Sequence, residues 1–68
     1  MDFKLKTEFI ELDNLLKALN LAASGAEARQ CIQSGSIKVN GQAETRIRRK
    51  LRAGDSVEFE ARQISIVG

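Results

Sequence analysis

Five basic side chains fall within the seven positions from Arg46 to Arg52. Residues 29–52 together hold seven bases and one acid, a net charge of +6, whereas residues 1–28 and 53–68 each carry −2. Charge segregated in this way creates a local positive field that attracts polyanions. Basic residues on an exposed edge strand can also prevent aggregation, but that role accounts for one or two charges rather than five. The run therefore predicts a surface that binds a polyanion.

Few residue types in the chain could support catalysis or hold a metal ion. There is no histidine, which is the commonest metal ligand and the commonest base at physiological pH. The single cysteine, Cys31, can form neither an internal disulfide nor a zinc site by itself. Cys31 shares a helical face with Ala28 and Ile32, which favours a core position over a reactive thiol. We therefore expect a protein that is not an enzyme and that has no cofactor and no metal site.

The aromatic content of the chain indicates which class of polyanion the surface would bind. The only aromatic residues are Phe3, Phe9 and Phe59, and all three fit strand or core positions. Exposed aromatic side chains, on which the bases of a single strand stack, are thus not evident. Phosphate contacts from basic and amide side chains suit folded or duplex RNA that is read by its shape. A membrane surface would instead require an amphipathic basic helix, so we expect structured RNA, no membrane and no small-molecule substrate.

Two helices are expected to support the basic run. Leu12, Leu15, Leu16 and Leu19 have the spacing of one helical stripe, which Asn20 could end. Ser24 and Glu27 have the spacing of a capping box at the start of a second helix. Gly35 is expected to end that second helix.

The second half of the chain is typical of β structure. Residues 37–39, 57–60 and 64–67 alternate in the manner of strands, as residues 3–6 do before the helices. Asn40-Gly41 predicts a hairpin, with Val39 opposite either Gln42 or Ala43, and the second register suits a buried face better. The order of elements predicts one α+β domain over residues 1–68. Its two helices are expected to pack on one side of a small antiparallel sheet with hairpins.

Three segments, "LDNLLKAL", "SGAEARQCIQSGSIKVNG" and "KLRAGDSVEF", closely resemble a known family. It is the RNA-binding domain first seen in ribosomal small-subunit protein S-four, the S4 domain. The resemblance runs from about Phe9 to Phe59 and is greatest to free-standing bacterial versions, often described as ribosome-associated. It implies a two-helix unit and a hairpin that together present a basic surface to structured RNA. One departure is Gly25, where many family members have a basic residue.

The resemblance also implies which residues contact RNA, with ribosomal RNA or the ribosome as the expected partner. The helix that begins at Ser24 would offer Arg29 and Gln33, and the strand and turn after it would offer Lys38 and Asn40. The basic run would offer the remaining contact residues. The full set is Arg29, Gln33, Lys38, Asn40, Arg46, Arg48, Arg49, Lys50 and Arg52. We expect a cytoplasmic monomer.

Two other interpretations remain open from the sequence. A basic surface can dock on an acidic protein partner as well as on RNA. The segments "IKVNG" and "LRAGDSVEF" also resemble ubiquitin-like sulfur carriers, whose C-terminal Gly-Gly is adenylated and thiolated. This chain, however, ends in Val67-Gly68, and its helices precede the hairpin, whereas that fold opens with a hairpin.

Overall fold

The computed structural model describes the whole chain, Met1–Gly68. Two helices pack beside a five-stranded sheet and a separate two-stranded sheet. The helices are α1 (Leu12–Ala18) and α2 (Gly25–Gln33). The strands are β1 (Asp2–Lys4), β2 (Ile10–Glu11), β3 (Ile37–Val39), β4 (Gln42–Ala43), β5 (Lys50–Leu51), β6 (Ser56–Phe59) and β7 (Arg62–Val67). Neither helix has the length and apolar character that crossing a membrane requires.

The predicted ends of both helices are confirmed. After α1 the backbone of Asn20 adopts the left-handed conformation, with φ of 57°, which asparagine tolerates better than most residues. Ser24 is the N-cap of α2, and its Oγ accepts a hydrogen bond of 3.2 Å from the backbone N–H of Glu27. Gly35 follows α2 with φ of +78°, a conformation that other residues rarely adopt.

The five-stranded sheet has the order β1-β7-β6-β3-β4. Its hairpin-linked neighbours are antiparallel, as expected, but β1 pairs with β7 in parallel, with Phe3 opposite Ile66. The sheet is therefore mixed rather than purely antiparallel. A parallel pair needs a long crossover connection, and nearly the whole chain, including both helices, lies between these two strands.

The hairpin between β3 and β4 has the two-residue turn. Val39 pairs with Gln42, while Ala43 pairs with Lys38. Asn40 and Gly41 have φ of 52° and 85°, as a type I′ turn requires. The alternative register, with Val39 opposite Ala43, is therefore wrong. That register would give Val39 a buried partner, but β4 is a short edge strand whose two residues are both exposed.

The core joins the two helices to the inner face of the sheet. Leucines of α1 and the apolar face of α2 pack against alternate residues of β3, β6 and β7, and Leu51 of β5 is also fully buried. The core contains no buried polar or charged residue. Cys31 is half-buried and packs against this core, as its position in α2 predicts. The basic run thus contributes one core residue, Leu51, which anchors it to the rest of the domain.

Candidate nucleic-acid interface

The loop that carries the basic run is fixed to the start of α1 by backbone hydrogen bonds. The first amides of a helix have no partner within the helix, and no side chain caps α1. The N–H of Leu12 donates to the carbonyl oxygen of Arg49 at 2.9 Å, and that of Asp13 donates to Ile47 at 3.1 Å. Ile10 and Glu11 of β2 pair with β5 just beside these bonds. The basic loop is therefore a fixed part of the fold.

Two of the five bases in the run are held by one acid, Glu44. The guanidinium of Arg46 donates from Nε to Oε2 at 2.9 Å and from Nη2 to Oε1 at 3.0 Å. Arg49 donates from Nε to Oε1 at 3.1 Å. The Glu44 side chain is only 12% exposed, and these donors, chiefly Arg46, lower its pKa from 4.5 to about 2. Residues 44–49 accordingly form a loop with a turn at 47–48, and only Lys50-Leu51 is extended.

Lys50 and Arg52 lie together over the ring of Phe9. The Lys50 Nζ is 4.9 Å and the Arg52 Cζ is 5.7 Å from the ring centroid, within the range of cation–π contact. Leu51, between them in sequence, points into the core. The prediction that Phe9 lies in a strand or the core is wrong, because Phe9 directly precedes β2, is only partly buried and is not part of the core. Sequence reasoning also missed the contact with Lys50 and Arg52, because β2 and β5 are far apart in the chain.

Two shallow concavities flank Arg48. The first is lined entirely by bases, namely Arg46, Arg48, Arg49 and Lys50. The second lies between the helices and the loop, and its lining residues are Asp13, Lys17, Gly25, Arg29, Ile47 and Arg48. Arg48 belongs to both. The fold thus brings Arg48 of the basic run and Arg29 of α2 to the same concavity.

Lys17 is a member of this surface that sequence reasoning missed. It lies on the exposed side of α1, where a lone lysine in a helix resembles an ordinary solvated residue. Its Nζ lies 4.0 Å from the point that a Cβ at position 25 would occupy. The ammonium group of Lys17 therefore lies beside the start of α2, close enough to touch a side chain at position 25.

Comparison with known proteins agrees with this architecture. The family model described as S4 domain matches residues 3–67. The chain belongs to the S4 domain family. The protein YbcJ of Escherichia coli (strain K12) is 40% identical over 62 residues, which cover 91% of this chain and 89% of YbcJ. Small ribosomal subunit protein uS4 of Anaeromyxobacter sp. (strain Fw109-5) is 38% identical over 63 residues, 93% of this chain and 30% of that protein.

A solved structure has the same fold as this S4 domain. The solution structure of Escherichia coli YbcJ, described as revealing an ALFAL motif involved in RNA-binding, matches with a TM-score of 0.73 and 40% sequence identity. The match covers 98% of this chain and 86% of YbcJ. Sequence and structure therefore agree on an α+β S4 domain built from two helices and a mixed sheet. The ubiquitin-like alternative does not fit this fold, because β1 and the next strand, β2, lie in different sheets and form no opening hairpin, and both helices precede the β3–β4 hairpin.

Four predicted contact residues of the S4 domain lie outside both concavities, namely Gln33, Lys38, Asn40 and Arg52. Gln33 and Lys38 are exposed on α2 and β3. The Asn40 amide is used within the fold: it donates to Asp55 Oδ1 at 3.1 Å and accepts the N–H of Ser56 at 2.9 Å. Their contact with RNA stays a prediction, although the partners of Asn40 indicate a role in shaping the hairpin.

Asp55 continues this network toward the basic run. Its Oδ2 accepts the backbone N–H of Arg52 at 2.8 Å. That bond is the largest cause of a lowered pKa of the Asp55 carboxyl, and the Asn40 amide and the charges of Arg49 and Arg52 act in the same direction. The Asn40-Gly41 hairpin and the turn after β5 are thereby held together by side-chain hydrogen bonds.

Proposed function

We propose that this S4 domain is a non-catalytic RNA-binding protein that recognises structured RNA, with ribosomal RNA as the expected target. The observation that carries the proposal is that Arg48, Lys50 and Arg52 are all exposed and have no acidic side chain paired to them. Arg48 also lines the concavity beside the two helices. These three side chains and Arg29 would contact phosphates, and the backbone bonds to α1 hold the loop that presents most of them.

Several features favour RNA over an acidic protein partner. The YbcJ structure, with the same fold, is described with a motif involved in RNA-binding, and uS4 is a small ribosomal subunit protein. Both concavities are shallow; the first is lined only by cations and the second by three cations among six residues, whereas a stable protein interface has an apolar centre. The large apolar residue that is clearly exposed is Met1, which lines neither concavity. We propose that the protein binds RNA through this surface as a monomer.

The experiment that tests the proposal is a salt titration of RNA affinity. A fluorescently labelled hairpin-junction fragment of ribosomal RNA would be bound by the wild-type protein at several salt concentrations. The logarithm of the association constant falls linearly with the logarithm of salt, with a slope of about −0.7 to −0.9 for each phosphate contacted. We expect a slope that corresponds to about three to five contacts. No binding at low salt, or a flat dependence, would contradict the proposal.

Co-purification distinguishes the two kinds of partner. RNA should accompany the tagged protein from a bacterial lysate and should be lost after nuclease treatment. A protein partner that persists through nuclease treatment, with no RNA recovered, would instead identify a docking surface for an acidic protein.

A further inference from the structure

The concavity between the helices and the basic loop contains one feature that does not suit simple phosphate binding. Asp13 lies among Lys17, Arg29 and Arg48. A carboxylate in a cationic groove repels phosphate and so weakens purely electrostatic attraction to a polyanion. Asp13 therefore needs an explanation beyond the charge of the surface.

The three cations of this groove do not neutralise the Asp13 carboxylate. Both ion pairs of the chain involve Glu44, and no lysine or arginine nitrogen lies within 4.0 Å of an Asp13 oxygen. Oδ1 of Asp13 accepts the backbone N–H of Asn14 at 2.9 Å, whereas Oδ2 has no hydrogen-bond partner. Asp13 is only partly exposed, and its own N–H is bonded to Ile47, so its backbone is fixed at the groove. One carboxylate oxygen is thus free to accept a hydrogen bond from a ligand.

An ionised carboxylate can only accept hydrogen bonds, so its ligand must bring a donor. A nucleotide carries anionic phosphate together with uncharged donors, namely the ribose 2′-hydroxyl of RNA and the exocyclic amines of bases. We propose that Asp13 is a specificity-determining residue that accepts a hydrogen bond from such a donor, while Lys17, Arg29 and Arg48 hold the neighbouring phosphates. This inference rests on the RNA-binding function proposed above and adds selectivity to it.

A structural explanation of Asp13 also exists. An acidic side chain in the first turn of α1 interacts favourably with the helix dipole. That role would change the melting temperature when Asp13 is replaced, but it would leave the choice between ligands unaltered. Removal of the charge alone would likewise strengthen binding to RNA and DNA to the same extent. Only the ratio of affinities for matched ligands reports the proposed hydrogen bond.

The test compares a labelled RNA hairpin with two analogues of the same sequence. One analogue is a 2′-deoxy hairpin, an RNA hairpin that lacks a single ribose 2′-hydroxyl, at each position in turn, so that the A-form shape is kept. The other is an RNA series in which each amino-bearing base in turn is replaced by a base that lacks the amine. Each is titrated with the wild type, with Asp13→Ala and with Asp2→Ala. The last substitution makes the same charge change on β1, at a residue that lines neither concavity. Lys17→Gln serves as the phosphate control.

We expect the wild type to bind the RNA hairpin about tenfold more tightly than one kind of analogue, because loss of one hydrogen bond to a charged group changes affinity by about this factor. Asp13→Ala should lose that preference and Asp2→Ala should keep it, while Lys17→Gln should weaken binding to all ligands about equally.

If Asp13→Ala loses the preference over the 2′-deoxy hairpin, the ligand group is the ribose hydroxyl. If it loses the preference over an RNA with an amine-lacking base, the ligand group is the amine of that base. If the wild type binds RNA and Asp13→Ala keeps every preference, this inference is overturned and the function stands. If the wild type binds no RNA, both fail.

Discussion

Glu44 holds the guanidinium of Arg46 in a bidentate ion pair, with donor–acceptor distances of 2.9 Å and 3.0 Å. The same carboxylate accepts the backbone N–H of Arg46 at 3.1 Å and the Nε of Arg49. Glu44 is the only acid in residues 29–52, and it lies at the start of the loop that carries the basic run. One acidic residue therefore lowers the charge of the run and also gives the loop a defined shape.

Replacement of Glu44 by glutamine should separate these two effects. We expect Glu44→Gln to lower the melting temperature by about 4–8 °C, which corresponds to about 1 kcal/mol in a domain of this size, because the charged acceptor is lost. The RNA salt slope should steepen by about one phosphate contact, since Arg46 is released. Thermal melts and salt titrations measure the two effects. Glu58→Gln, at an exposed residue of β6 with no side-chain partner, should change neither, and equal effects at both positions would refute the role of Glu44.

The carboxylates of Glu44 and Asp55 should make the stability of the fold depend on pH in the acid range. Folding lowers the pKa of Glu44 from 4.5 to about 2, and it also lowers that of Asp55 from 3.8. A group whose pKa is lower in the folded state contributes stability above its unfolded pKa and loses that contribution as pH falls through its folded pKa. The stabilisation should thus be complete above about pH 5 and should decline toward pH 2. Urea unfolding at intervals from pH 6 to pH 2 should show a smaller decline for Glu44→Gln than for the wild type, and identical pH profiles would argue against the ion pair.

Asn40 should be important for stability rather than for RNA contact. We expect Asn40→Gly, which tolerates the positive φ but removes the bonds to Asp55 and Ser56, to cost about 1–2 kcal/mol of unfolding free energy. RNA affinity measured on the folded protein should change little. Asn20→Gly is the matched control, because Asn20 also has a positive φ but its side chain makes no hydrogen bond. A large affinity loss with unchanged stability would instead make Asn40 a contact residue.

The Phe9 ring should stabilise the positions of the two cations above it. A double-mutant cycle of Phe9→Leu and Lys50→Met should give a coupling free energy of about 0.5–1 kcal/mol, the usual value for an exposed cation–π contact. The coupling is obtained from urea unfolding of the wild type, both single variants and the double variant. Additive effects of the two substitutions would show that Lys50 and Phe9 lie close together without a stabilising interaction.

Local patterns in the sequence were sufficient to predict most elements of the fold. The leucine stripe of α1, the Ser24 cap, the Gly35 end and the Asn40-Gly41 turn each depend on a few adjacent residues. The β1–β7 pairing depends on residues at opposite ends of the chain, which no local pattern reveals. The turn between β6 and β7 was also missed, because Glu60 and Ala61 both have positive φ without any glycine to indicate it.

The candidate site was predictable in its charge but not in its detailed contacts. The density of bases pointed to the loop, and the family resemblance added Arg29. The engagement of Arg46 and Arg49 by Glu44 depends on how the loop folds back, and the position of Lys17 depends on how α1 packs against α2. Asn40 has the same residue type whether it contacts RNA or closes a turn, so only its hydrogen-bond partners distinguish the two roles.

The most direct test of the proposed surface is the RNA affinity of the charge-reversed variant Arg48→Glu/Lys50→Glu. Both residues belong to the loop fixed to α1, and Arg48 lines both concavities. We expect affinity for the hairpin-junction RNA to fall by at least about tenfold, and the salt slope to flatten by about two contacts. The melting temperature should fall by no more than the few degrees that loss of the Lys50–Phe9 contact accounts for. Arg62→Glu, at an exposed residue of β7 that lines neither concavity, should bind nearly as the wild type does. Unchanged affinity of the Arg48→Glu/Lys50→Glu protein would contradict the assignment of this surface to RNA.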